Sequence, residues 1–202
     1  MKRIKYFSVI LLLITFSAAN AQTDTATRKG FPLRKLTIEP AIGITPMPIS
    51  DVVISNLLQW NVKKQLSIIS RSSISFNSAF NRNFNYIHTD YSYLLSQTIG
   101  IGTSFYLKHS SHTFSFMAGI KYDATQETLN NPEFEKVSYA TSTVSPDFGL
   151  MYNYKLGKKK YFFSYRMYIP LYPYPFKTSD INSMDSNLAN ISFEFGIGIR
   201  IK

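Results

Sequence analysis

The chain closes on ISFEFGIGIRIK, Ile191 to Lys202, in which every odd position is Ile or Phe and every even one is Ser, Glu, Gly, Arg or Lys. Side chains of a strand alternate between its two faces, so this stretch has one wholly apolar face and one polar, charged face. Two environments suit it. One is the edge of a soluble core, with the apolar face inward. The other is a bilayer, with that face toward lipid and the polar face toward a closed interior. Strand length, the distribution of connections and the placement of charges decide between them.

The same period of two recurs along the chain. Candidate strands lie at about 33–46, 51–62, 65–78, 91–108, 111–124, 143–156, 159–172 and 188–202, and no stretch carries a helical stripe. Globular strands usually run about 5–6 residues. A tilted strand crosses a bilayer with about 9–11, and nearly all of these candidates are longer than that. Their connections are sorted. VKKQ, KHSSH and LGKKK are short and join alternate pairs. NSAFNRNFNYIHTD, ATQETLNNPEFEKVSYAT and YPFKTSDINSMDSN are long and, with the brief TPMPISD, fall at the opposite end. The pattern predicts an all-β fold: an eight-stranded antiparallel transmembrane β-barrel with short periplasmic turns and longer extracellular loops.

The charges agree. Of the 12 acidic residues none falls on the apolar face. Asp51, Asp90, Glu127, Glu133, Glu135, Asp180 and Asp185 belong to the loop end. Glu39, Asp123, Asp147 and Glu194 take the inward parity, as do the basic residues Arg71, Lys121, Lys155, Arg166 and Arg200. A lysine or arginine facing lipid at mid-bilayer costs about 2–4 kcal/mol, which accounts for their absence from the apolar stripes. Eight strands leave a lumen just wide enough for side chains. The nine inward charges therefore predict an interior network of ion pairs and hydrogen bonds in preference to an open pore or a catalytic centre. Ser70, Ser72 and Asn56 fall on the outward parity and Ile69 on the inward one, so a bulge or register shift is expected in strands two and three.

The first residues assign the compartment. Lys2, Arg3 and Lys5 precede an apolar run from Tyr6 to Phe16, and small residues end at Ala19-Asn20-Ala21. This is the layout of a secretory signal peptide over 1–21, cleaved after Ala21. The run is too short for a spanning helix, which needs about 20 residues. Polar residues 22–32 read as a flexible tail and 33–202 as the barrel. Cleavage removes three bases and no acid, so the formal charge falls from +10 to +7. In an exported chain without a basic helix, that balance implies contact with anionic lipid rather than nucleic acid. The 16 Phe and 14 Tyr suit interfacial aromatic girdles.

Other motifs carry little chemistry. There is no cysteine, hence no disulfide or thiolate metal site. GIGTS and GIGIR place Gly100, Gly102, Gly196 and Gly198 on the inner face, where they make room for bulky neighbours; they are not phosphate loops. His109 and His112 flank Ser110 and Ser111 in a short turn with no acid nearby, and a nucleophile, base and orienter must converge before such a set can react. No cofactor and no metal are expected.

Taken together, the leader ending SAANAQ, the segment ISNLLQWNVKKQLSIISRSSISF and the closing FEFGIGIRIK resemble those of the small outer-membrane β-barrel proteins of Bacteroidota-type bacteria. The resemblance implies a cell outer membrane location, outer-membrane lipid and lipopolysaccharide as neighbours, and insertion by the barrel-assembly machinery. The last strand looks like the signal read by that machinery, except that Lys202 stands where an aromatic residue is common. The expected role is that of a monomeric, non-catalytic barrel acting structurally or through its loops. The alternatives are a barrel enzyme modifying lipid A or phospholipid, and a narrow pore.

Overall fold

The computed structural model describes residues 36–45, 51–76, 83–84, 87–130, 136–157, 159–172 and 191–201. The expected leader and tail, and most of the loop between the last two strands, lie outside them. Among the described residues nine strands follow in chain order: β1 (Leu36–Thr45), β2 (Asp51–Asn61), β3 (Leu66–Phe76), β4 (Asn83–Phe84), β5 (Ile87–Tyr106), β6 (Ser110–Leu129), β7 (Val137–Leu156), β8 (Tyr161–Tyr172) and β9 (Ser192–Ile201). All pairings are antiparallel. β3 pairs with β5 and β1 with β9, so eight strands close on themselves, and β4 is a two-residue return hydrogen-bonded to the start of β5. The protein is an eight-stranded antiparallel β-barrel. Closure gives each of the eight long strands a hydrogen-bonded neighbour on both sides, so the sheet has no free edge strand.

The alternation that defines β9 operates in the folded chain. Phe195 and Ile197 face out at 51% and 64% exposure, while Glu194 and Arg200 face in at 0% and 1%. Around the wall Ile42, Ile99, Ile101, Phe116, Ile120 and Leu150 form an exposed apolar belt.

Three features differ from the sequence reading. β5, β6 and β7 are each 20 residues long. Much of what reads as loop, ATQETL and VSYATST in particular, is strand, paired from Leu129↔Val137 downward. At about 3.3 Å per residue these strands run some 66 Å. The bilayer-matched band of such barrels is about 25 Å tall, so the ribbon continues beyond the apolar belt. Both its faces are polar, which is why hydropathy alternation fades there while the β-prone Thr, Val and Tyr still pair. Glu127, read as a loop acid, is consequently in β6 and buried.

The second difference is that no bulge occurs in β2–β3 or β3–β5. Their register is continuous from Val52↔Phe76 to Asn61↔Ser67 and from Leu66↔Thr103 to Phe76↔Tyr93. Asn56 and Ser72 do face out and Ile69 does face in. The outward polar groups answer one another: Ser72 and Ser70 both hydrogen-bond Gln97 on β5. The irregularities lie instead at Thr89/Tyr91 between β5 and β6 and at Phe148/Gly149 between β7 and β8. Third, the lumen is not polar throughout. Leu57, Ile69, Met117, Met151 and Tyr168 form a buried apolar cluster inside it.

Candidate functional site

The interior charges come from strands far apart in sequence that the barrel curls around one lumen. Eight of the nine expected there, Glu39, Arg71, Lys121, Asp147, Lys155, Arg166, Glu194 and Arg200, are at most 4% exposed. Asp123 is half-buried. Three carboxylates organise them.

Glu39 lies toward the short-turn end. Lys155 Nζ pairs with its Oε1, Thr37 donates to the same oxygen at 2.7 Å, and Asn153 Nδ2 donates to Oε2 at 2.9 Å. Arg166 Nη2 donates to the Glu39 backbone carbonyl at 2.9 Å. Glu194 sits further along, level with Gly43 of β1. It pairs with Arg71, accepts from Ser55 and from Ser192 (2.9 Å), and faces Arg166 Nε at 3.4 Å. Asp147 is nearest the loop end and accepts from Ser96 and from the Tyr168 hydroxyl, each at 2.7 Å. The Arg71 guanidinium lies 4.7 Å from the Tyr168 ring centroid, which joins the Glu194 and Asp147 clusters.

Arg200 closes the turn end by a different route. Its guanidinium donates to the backbone carbonyls of Lys159 and Gly157, the latter at 2.7 Å, and lies 4.4 Å from the Phe162 ring centroid. Glycine makes this packing possible. A Cβ on Gly198 would stand 2.1 Å from the Phe162 ring, and one on Gly149 would stand 2.4 Å from the Tyr168 ring. Gly198→Val is therefore expected to expel Phe162 and destabilise the barrel by about 1–3 kcal/mol, the usual overpacking cost. Chemical denaturation of the refolded protein measures this, and an unchanged midpoint would contradict the packing described.

A second polar group, missed in the sequence, joins Gln59, Ser67, Ser104 and Thr113 at the turn end, with Gln59 Nε2 donating to Ser67 at 2.9 Å and Ser104 bonding Thr113 at 2.9 Å. Its signal was available in parity, since Gln59 alternates with outward Leu58 and Trp60. At mid-height the side chains of Arg166, Leu57, Ile69, Met117 and Met151 fill the lumen. A cavity of about 40 Å³ lies toward the loop end among Arg71, Lys121, Asp147, Tyr168 and several serines. It is roomy enough and polar enough to hold water.

The histidines and serines of the short turn are not brought together. Ser110 and Ser111 are buried, His109 is exposed, and His112 points outward, its Nδ1 2.8 Å from the Tyr152 hydroxyl. His88 Nε2 stands 3.8 Å from Asp90 on the exposed β5 ribbon. No group of three or more metal-ligating side chains occurs among the described residues.

No family model matches the chain, and no curated protein matches its sequence. Solved structures do. Neisserial surface protein A aligns over 82% of this chain and 96% of its own, with a TM-score of 0.51 and 10% identity. The N-terminal β-barrel domain of Pseudomonas aeruginosa OprF covers 85% of this chain and 97% of its own (TM-score 0.41, 9% identity). Ail, the attachment invasion locus protein of Yersinia pestis, solved with the heparin analogue sucrose octasulfate, covers 82% and 96% (TM-score 0.41, 10% identity). These are small outer-membrane eight-stranded barrels, and the likeness is one of fold.

Proposed function

We propose that this chain is a monomeric, non-catalytic outer-membrane barrel of the Bacteroidota type, with a structural or loop-mediated binding role at the cell surface. It is exported by a signal peptide cleaved after Ala21 and inserted by the barrel-assembly machinery. Outer-membrane lipid and lipopolysaccharide surround it. The observation that carries the reading is the inversion of the usual surface: Ile42, Ile99, Ile101, Ile120 and Ile197 are 60–65% exposed, while nine charged side chains are buried among the described residues. In water that arrangement is unfavourable on both counts; in a bilayer it is favourable on both.

The nine interior charges act as a structural plug. Glu39 is held by Lys155 of β7 and by Thr37 of its own strand, Glu194 by Arg71 of β3 and the Ser55 hydroxyl of β2, and Asp147 by Ser96 and Tyr168. The protein is expected to fractionate with the outer membrane and to migrate faster unheated than boiled on a detergent gel. In planar bilayers the wild type is expected to give no steady single-channel steps, and Arg166→Met to lower stability without altering conductance. Selective conductance in the wild type, changed by Arg166→Met at unchanged stability, would establish the narrow pore instead. New lipid A species detected by mass spectrometry after incubation with the purified barrel would establish the enzyme.

A further inference from the structure

The two ends of the barrel carry opposite charge. The three short turns hold Lys63 and Lys64, Lys108, and Lys159 and Lys160, all exposed. The sequence of those turns, 62–65, 107–110 and 156–160, adds Lys158 and contains no acidic residue. Asp51, Asp90 and the buried Glu127 lie at the other end, and the connections leaving it add Glu133, Glu135, Asp180 and Asp185 against Arg82, Lys136 and Lys177, seven acids to three bases or a net of −4. Immediately inside the lysines runs an outward aromatic collar. Trp60 is 51% exposed, Tyr161 60% and Phe163 44%, and Lys160 Nζ lies 5.9 Å from the Tyr161 ring centroid.

Amphipathic rings settle at the boundary between hydrocarbon and headgroups. A lysine beyond such a ring can lay its stem against the apolar wall and its ammonium among the phosphates. We propose that this rim is a docking surface for anionic glycerophospholipid headgroups, recognised through their phosphodiesters by the turn lysines. The proposal rests on the membrane reading above and adds to it which end, which residues and which lipid class. It also supplies an orientation: the basic rim takes the leaflet rich in anionic phospholipid, and the acidic end faces away from it.

The chain has a built-in reporter, because its one tryptophan is Trp60, in the collar beside Lys63 and Lys64. The full chain would be refolded into vesicles of phosphatidylcholine and phosphatidylglycerol in which one or the other lipid carries brominated acyl chains, and Trp60 quenching would be read at low and high salt. The expected result is an enrichment of phosphatidylglycerol around Trp60 of about fivefold at low salt, shrinking as salt screens the lysines. Replacing all six lysines of the turn sequences by Gln should abolish the enrichment, and replacing them by Arg should preserve it. Equal quenching by the two lipids in the wild type, or enrichment that survives in the Gln variant, would overturn the proposal. So would lysine-dependent binding to isolated peptidoglycan without lipid enrichment, which would make the rim a cell-wall surface. Absence of quenching by either lipid would instead mean that the barrel is not in the bilayer, a failure of the membrane reading itself.

Discussion

Replacing Glu194 by Gln is expected to lower the stability of the folded barrel by about 3–5 kcal/mol, the cost of leaving buried charge without its partner. The substitution keeps the volume of the side chain, so no cavity is made and only the charge is lost. Two guanidiniums depend on that charge. Arg71 pairs with one carboxylate oxygen and Arg166 Nε faces the other at 3.4 Å, and both arginines are at most 3% exposed. The temperature at which the compact gel band converts to the extended one should fall, together with the urea midpoint. Adding Arg71→Met should return part of the loss, since it removes one of the stranded cations. A Glu194→Gln barrel that melts with the wild type would mean the pairs are incidental to stability.

Ile197→Arg separates a bilayer from water by the size of its effect. Ile197 is 64% exposed and lies outward in the middle of β9. On a water-soluble barrel such a surface change falls within about 0.5 kcal/mol of neutral. In lipid it is expected to cost about 2–4 kcal/mol, because the guanidinium faces hydrocarbon. Equilibrium unfolding from phospholipid vesicles measures the difference. A neutral result there would place Ile197 outside the hydrocarbon.

What the sequence makes legible is what parity controls. Ile and Phe at alternate positions of β9 settle which side chains face outward, and the same parity turns Glu39, Arg166 and Glu194 inward. Parity does not specify partners across the lumen. That Glu194 takes Arg71 from β3, and Glu39 takes Lys155 from β7, depends on how far each strand is staggered against the next, and alternation is blind to stagger. The extension of β6 and β7 is hidden for another reason: with Thr, Ser, Gln and Tyr on both faces, backbone pairing leaves no hydropathic trace. Ser70 and Ser72 show the reverse error, in which parity was right and the polar residues seemed to contradict it. They face outward and share their hydrogen bonds with Gln97. Ile69 falls on the inward parity in the sequence, and Leu57, Met117 and Met151 share that parity with the charges, but alternation does not say that they pack together into an apolar filling of the lumen.

The seam between β1 and β9 also fixes an order of events. Neighbouring hairpins such as β2–β3 and β6–β7 can form as soon as their own residues exist. The seam joins the two ends of the barrel, and the buried pair Arg71–Glu194 spans 123 residues of chain. Contacts of such long separation are slow, because the intervening chain must be ordered before they contribute. Until β9 arrives, Arg71 and Arg166 lack the carboxylate they share, and the wall has two open edges. Nearly the whole chain must therefore be made before any closed barrel exists, and the last ten-residue strand acts as the latch, supplying in one step the final rung of the wall and the counter-charge at its centre.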